Sequence, residues 1–234
     1  MQIVNSPYED NHMHSSNFSD GQSEVDAIVY YAGRIGLKII TITDHSQAIL
    51  DYYKHEERLN MPRSDRRAIL RWENPYDNGV EVRFGLEADL MDENGRICDY
   101  IGNPKRANPE EKIILSAHKN AYQGDQTKVT QGLIKAIKKH GKRIIAIGHP
   151  CSIWDLAAQT NIRELCNAAN DYGVPLEFNG KNFAKGNTDM GQLDELLKHA
   201  DTLMVNSDAH WLAELNTRRA AFKYLEEKGL FVLE

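Results

Sequence analysis

Seven short runs rich in apolar and β-branched residues, separated by segments of helical periodicity, constrain this chain more than any other feature of its sequence. That alternation is the pattern of a parallel α/β sheet or barrel with helices packed outside it. The runs are the N-terminal stretch up to His14, KIITIT at 38–43, VRFGLEA at 82–88, KIILSA at 112–117, RIIAIG at 143–148, VPLEFN at 174–179 and TLMVNS at 202–207. Seven is one short of the ordinary eight-stranded barrel. No composition shift, repeat or low-complexity tract divides the chain, so residues 1–234 read as one domain.

The intervening segments carry helix signals. SEVDAIVYYAGRIG places Val25, Ile28, Ala32 and Ile35 on one stripe, with Ser23 and Asp26 forming an approximate capping box. KVTQGLIKAIKKHG places Val129, Leu133 and Ile137 on a stripe and gathers its cations before Gly141, as a helix C-terminus prefers. Helices are also expected at 161–171, 189–199 and 213–228. MDENGRICD, with its Asn94-Gly95 turn signal, reads as an inserted hairpin after the third strand.

What stands at the carboxyl end of each run gives the barrel a purpose. His12 and His14 end the first, and residues two apart in an extended chain share a face, so the pair could converge on a metal ion, although NHMHSSNFSD alone also fits a solvated loop. The later runs end in TDH with His45, GLE with Glu87, SAH with His118, GHP with His149, EFN with Glu177 and Asn179, and NSDAH with Asp208 and His210. Each strand thus delivers a potential ligand to one rim, the end of α/β folds where binding and chemistry are built.

In order, these motifs (DNHMHSSNFSDG, TDH, GLEAD, SAH, GHP, LEFN and SDAH) resemble the PHP family, the polymerase and histidinol phosphatase group of metal-dependent phosphoesterases, across residues 10 to 210. The resemblance implies a distorted, TIM-barrel-like (β/α)7 fold. It implies three metal sites: His12, His14, Glu87 and Asp208 at one; Glu87, His118 and His149 at a second; Asp20, His45 and His210 at a third. Some members carry histidine where this chain has Asp20. Glu87, Asp208 and His210 would also be the catalytic residues. Six imidazoles and three carboxylates suit zinc, manganese or iron better than magnesium or calcium. Two to three such ions, close together, could hold a phosphate oxygen and activate water.

The implied activity is hydrolysis of a small phosphate monoester, with histidinol phosphate, and hence histidine biosynthesis, the first candidate. Alternatives are a nucleotide phosphatase or exonuclease-type phosphodiesterase, a metal-dependent amidohydrolase, and a metal-binding regulatory module without catalysis. Lys119, Asn179, Lys181, Lys185 and Arg66 are candidate substrate contacts, although the arginines at 63–71 also fit a solvated helical face. Asp10 and Asp44 could orient ligand imidazoles or cap strands. His140 and His199 fit favourable helix-end positions, His55 a solvated run, and Cys151 a packing role.

Composition supports a globular enzyme. Hydrophobic residues are 41% and charged residues 26%, enough for a core, and a net charge of −6 argues against general affinity for nucleic acid. Three cysteines without Cys-x-x-Cys spacing and an N-terminus unlike a signal peptide point to the cytoplasm, and no run is long enough to span a bilayer.

Overall fold

The computed structural model describes residues 1–55, 69 and 71–232. In chain order its elements are β1 (Gln2–Ile3), β2 (Glu9–Asp10), α1 (Val25–Arg34), β3 (Ile39–His45), α2 (Gln47–His55), β4 (Glu81–Leu90), β5 (Ile97–Cys98), β6 (Ile113–Ser116), α3 (Val129–His140), β7 (Ile144–Ile147), α4 (Ile162–Tyr172), β8 (Leu176–Asn179), α5 (Gly180–Ala184), α6 (Met190–His199), β9 (Thr202–Asn206) and α7 (Arg218–Glu227). The sheet runs β1-β9-β8-β7-β6-β4-β3-β2. Its pairings are parallel except that of β5, which turns back on β4 through Gly95, at φ 73°.

The first expected strand is not continuous. Pro7 has no N–H to donate to a ladder, and the chain turns there, with Glu9 N donating to Ser6 O at 3.0 Å. One N-terminal segment therefore borders both edges of the sheet: β1 pairs with β9, and β2 with β3. Side-chain amides close much of the seam. Asn5 Nδ2 donates to Val205 O at 2.7 Å, Val205 N donates to Asn5 Oδ1 at 2.9 Å, and Asn11 N donates to Asn206 Oδ1 at 3.0 Å. Further along, Asp208 N donates to His12 O at 2.8 Å and His14 N to Ala209 O at 2.9 Å. Counting β1 and β2 as one position, seven parallel strand positions form the (β/α) barrel.

Alternation along the strands separates core from site. Leu86, Ala88 and Leu90 of β4, Leu176 and Phe178 of β8, and Leu203 and Val205 of β9 pack with apolar residues of α3, α4, α6 and α7. Burial of each such large side chain is worth about 1.5–3 kcal/mol. The intervening residues, Glu87, Asp89, Glu177 and Asn206, take the opposite face and are fully or almost fully buried. Ile114, Ala146 and Met204 form a separate apolar cluster. Their alternate positions on β6, β7 and β9 put this cluster on the inward face, where side chains fill the interior of a small barrel.

Two helix starts differ from expectation. No Ser23–Asp26 capping box forms; Glu24 is the N-cap without a side-chain bond, and the first helical N–H, of Val25, donates to Asn17 Oδ1 at 2.8 Å. The loop after His14 has folded back to supply that acceptor. The final helix begins at Arg218, because Leu212–Asn216 forms a separate 3₁₀ turn. Of the long 46–81 segment, α2 is described; Arg63, Arg66 and Arg67 lie outside the described residues.

Candidate metal centre

The strand ends bring the nine proposed donors to one mouth around Glu87. Register alone sets His45 beside Glu87 across the β3–β4 ladder. Glu87 Oε1 lies 3.3 Å from His12 Nε2, 3.5 Å from His118 Nε2 and 3.0 Å from His149 Nε2. Its Oε2 lies 3.5 Å from His14 Nε2 and 2.7 Å from His45 Nδ1. Asp208 Oδ1 is 3.3 Å from His14 Nε2, 3.8 Å from His12 Nε2 and 3.5 Å from His210 Nδ1. Asp20 Oδ1 is 3.6 Å from His45 Nε2 and 3.4 Å from His210 Nε2. Three sets fall within 4.8 Å: His12, His14 and Glu87; His45, Glu87 and His118; His14, Asp20, His45 and His210.

Those separations fit a metal centre better than a hydrogen-bonded cluster. Donors about 2.0–2.1 Å from a shared tetrahedral ion stand about 3.3 Å apart, which most of these contacts approach, whereas a nitrogen-oxygen hydrogen bond is typically about 2.9 Å. The Nε2 atoms of both His12 and His14 are buried with no hydrogen-bond partner. Leaving such atoms unsatisfied costs about 1–3 kcal/mol each, a cost that a cation at the centre would remove. Burial by itself would push the Glu87 carboxyl up, yet His118, His12 and His45 hold it well below the usual carboxylate range. Burial likewise opposes ionisation of Asp208, and Lys181, His12 and His14 overcome it. Burial, with His210 and His45 beside it, pushes His14 well down, whereas Glu177 and Glu87 push His12 well up despite its burial.

Behind the donors stand carboxylates that orient them. His12 Nδ1 meets Glu177 Oε1 at 2.8 Å, and His118 Nδ1 meets Asp89 Oδ1 at 2.6 Å. Glu177 is itself held by Asn206 Nδ2 at 2.8 Å, His149 N at 2.8 Å and Asn179 Nδ2 at 3.1 Å. Ser116 Oγ donates to Glu87 Oε1 at 2.6 Å. Gly148 makes room for that serine: a Cβ there would lie 2.1 Å from Ser116 Oγ. His149 and Asp208 both adopt left-handed backbone, at φ 32° and 54°. Non-glycine residues hold such conformations at a cost of about 1–3 kcal/mol, typically at functional sites.

Asp10 and Asp44 meet the backbone beside the donors. Asp10 Oδ1 accepts from Ser207 N at 3.0 Å and His12 N at 3.4 Å, and Asp44 accepts from Ser15 N at 2.6 Å and Ser15 Oγ at 2.9 Å. Both acids therefore brace the backbone that carries the donors. Glu177 was visible in sequence as a strand-end acid without an assigned role, and Asp89 was not singled out. Two-residue spacing from Asn179 and Glu87 placed both on the inward face, and that signal could have found them.

The candidate substrate residues separate into distinct environments. Lys181 Nζ sits 2.8 Å from Asp208 Oδ2 and 3.1 Å from His210 Nδ1, inside the cluster. Asn179 is buried: its Nδ2 also reaches Asp208 Oδ2 at 3.1 Å, and its Oδ1 caps α5 by accepting from Asn182 N at 2.9 Å. Lys185 is ion-paired with Glu214, whose Oε2 accepts from His210 N at 2.8 Å. Lys119 is exposed beside His118. His199 pairs with Glu195 one turn back, and His140 ends α3, where burial and Arg143 lower its pKa.

Two predictions arise here. Glu177→Gln should reduce metal affinity by about 10–100-fold, the usual effect of losing a carboxylate that orients a ligand histidine; equilibrium competition with a chelating dye measures it, and unaltered affinity would refute the role. Cys151 lies in the main core, 6% exposed, and burial pushes its thiol far up. Cys151→Ala should therefore leave kcat/KM unchanged, and an intact-mass assay should find the native thiol unmodified by iodoacetamide.

Fold and site together define an α/β barrel with a mouth able to bind metal. The chain belongs to the PHP domain family, whose model matches residues 10–180. A protein named probable phosphatase from Caldanaerobacter subterraneus subsp. tengcongensis is 27% identical over 227 residues, covering 93% of this chain and 82% of that protein. A second so named, from Shewanella loihica, is 27% identical over 224 residues, covering 93% and 84%. Among solved structures, histidinol phosphate phosphatase from Lactococcus lactis subsp. lactis Il1403, complexed with zinc, L-histidinol and phosphate, superposes with a TM-score of 0.53 at 15% identity, covering 95% of this chain and 94% of that one. Among the described residues, no helix is long and apolar enough to cross a membrane.

Proposed function

We propose that the protein is a metal-dependent phosphatase that releases inorganic phosphate from a small phosphate monoester. The observation that carries this reading is the gathering of six imidazoles and three carboxylates at one mouth, five of the imidazoles on Glu87 and most of the contacts at ligand-like separations beyond about 3.2 Å. In the proposed division, His12, His14, Glu87 and Asp208 would hold one ion, Glu87, His118 and His149 a second, and Asp20, His45 and His210 a third. His14 and His45 each stand near two of these groups, so the sets are close neighbours rather than separate pockets. When bound, such ions would acidify water and neutralise charge on phosphoryl oxygens.

The chain's own residues do the rest. Glu87 spans five imidazoles and sets the spacing of the cluster. Glu177 and Asp89 fix the rings of His12 and His118, so that the ligating nitrogens are presented in one tautomer. Asn179 and Lys181 hold the second oxygen of Asp208, leaving Oδ1 facing the histidines. Lys181 is placed to donate to a phosphoryl oxygen as substrate enters, and Lys119 stands further out, where its charge can attract a phosphate dianion, whereas Lys185 is engaged by Glu214. Zinc and histidinol phosphate are the first ion and substrate to try, because the Lactococcus structure holds zinc with L-histidinol and phosphate.

The test is metal analysis of purified protein with a hydrolysis screen covering histidinol phosphate, nucleotides, a nitrophenyl phosphate and cyclic amides, run on wild type and Asp208→Asn. Wild type should release phosphate from a monoester, and the variant should lose about 10³-fold in kcat/KM, corresponding to about 4 kcal/mol of transition-state stabilisation. Undiminished hydrolysis by the variant would remove the site from the chemistry. A metal-loaded wild type inactive on every ester would favour a binding module.

A further inference from the structure

A second cavity lies outside the mouth. One face of α7 from Arg218 to Glu226, Phe231 beyond it, the turn before β2 and the end of α1 line an open cavity of about 400 Å³ that shares no residue with the histidine cluster. This is within the ordinary size range of small-molecule sites. One side is apolar: Tyr8, which is 52% exposed, and the packed rings of Phe222 and Phe231, with centroids 5.1 Å apart. The other is cationic: Arg218, Arg219 and Lys223 line it with one lining carboxylate, Glu226, while Lys223 lies 3.7 Å from Glu227 and Arg219 Nη2 donates to Ile35 O at 3.0 Å.

Arg218 separates this cavity from an incidental crevice. It is only 2% exposed, an unusual position for an arginine. Its Nη1 donates to Leu215 O at 2.6 Å and its Nη2 to Pro7 O at 2.9 Å. Both acceptors are neutral carbonyls, and the buried Nε has no hydrogen-bond partner. Asp10 attracts the guanidinium through space without bonding that nitrogen. Nε is closed off from the cavity, so Arg218 acts on a ligand through its charge, and a buried cation beside an aromatic wall matches a ligand with one negative end and one flat end.

We propose that this cavity binds a small organic anion, with an aromatic or apolar body against Tyr8, Phe222 and Phe231 and a carboxylate or phosphate toward Arg218, Arg219 and Lys223. The test is calorimetric titration of the metal-loaded protein with phenylpropionate and with its uncharged counterpart phenylpropanol. The acid should bind wild type in the millimolar range or tighter, and the alcohol should bind at least about tenfold more weakly. Arg219 and Lys223 are exposed, so the double variant Arg219→Ala/Lys223→Ala should fold normally and lose about tenfold in affinity for the acid. Asp208→Asn should bind the acid as wild type does. No binding by wild type, equal binding of acid and alcohol, unchanged affinity in the double variant, or loss of binding in Asp208→Asn would each overturn the assignment; the last would place the anion at the mouth.

Discussion

Glu87→Gln should leave a folded barrel that loses at least one bound ion per chain and about 10³-fold or more in kcat/KM. Among the described residues, no other side chain at the mouth is recorded near as many donors: its two oxygens lie 2.7–3.5 Å from His12, His14, His45, His118 and His149. Glutamine preserves the shape and one acceptor oxygen, so Ser116 Oγ can still donate. What it removes is the negative charge, and its amide nitrogen turns a donor toward an imidazole that also needs an acceptor or an ion. In the proposed division Glu87 serves two ion positions, so its loss should affect both together. Elemental analysis beside steady-state kinetics and circular dichroism checks this. A folded variant with the wild-type metal complement and wild-type turnover would refute the central position assigned to Glu87.

Stripping the metal should lower thermal stability by about 8–16 °C. An ion present at about a thousand times its Kd contributes about 4 kcal/mol to the folded state, and in a chain of this size each kcal/mol moves Tm by about 2–4 °C. The physical reason lies in the buried mouth: Glu87 and Asp208 are almost wholly excluded from water, as are His12 and His14, and the Nε2 atoms of those histidines have no hydrogen bond of their own. Without a cation these groups carry their desolvation penalty with only one another for compensation. Calorimetry before and after dialysis against dipicolinate, followed by zinc return, measures the effect. An unchanged Tm across that cycle would show that ion binding contributes nothing to holding the mouth together.

The strand positions were legible because alternation has a short period. Along β4, Leu86, Ala88 and Leu90 go to the helices while Glu87 and Asp89 go inward, and nothing beyond the strand is needed to read that. The same rule explains why histidines and acids at run ends gather at one rim. Local signals were weaker where a distant segment could substitute for a local one. Ser23 looked like the start of a capping box, but Asn17 reached the first helical N–H from the preceding loop. The N-terminal run looked like one strand, but the turn at Pro7 split it, and the Asn5 amide took over two hydrogen bonds of the seam.

By itself, then, the sequence determined the alternating architecture, the seven strand positions and the set of donors at their ends, since each follows from residues within a few positions of one another. Tertiary structure decided which partner each donor meets. Glu177 orients His12 from 165 residues away, and Asn5 pairs with Val205 across 200. The Glu214 that occupies Lys185 and the buried Arg218 beside the second cavity likewise depend on how α7 and its preceding turn dock on the barrel. Periodicity records which face a residue takes, but the neighbour it finds there depends on closure of the barrel, where strand register and side-chain length set each distance.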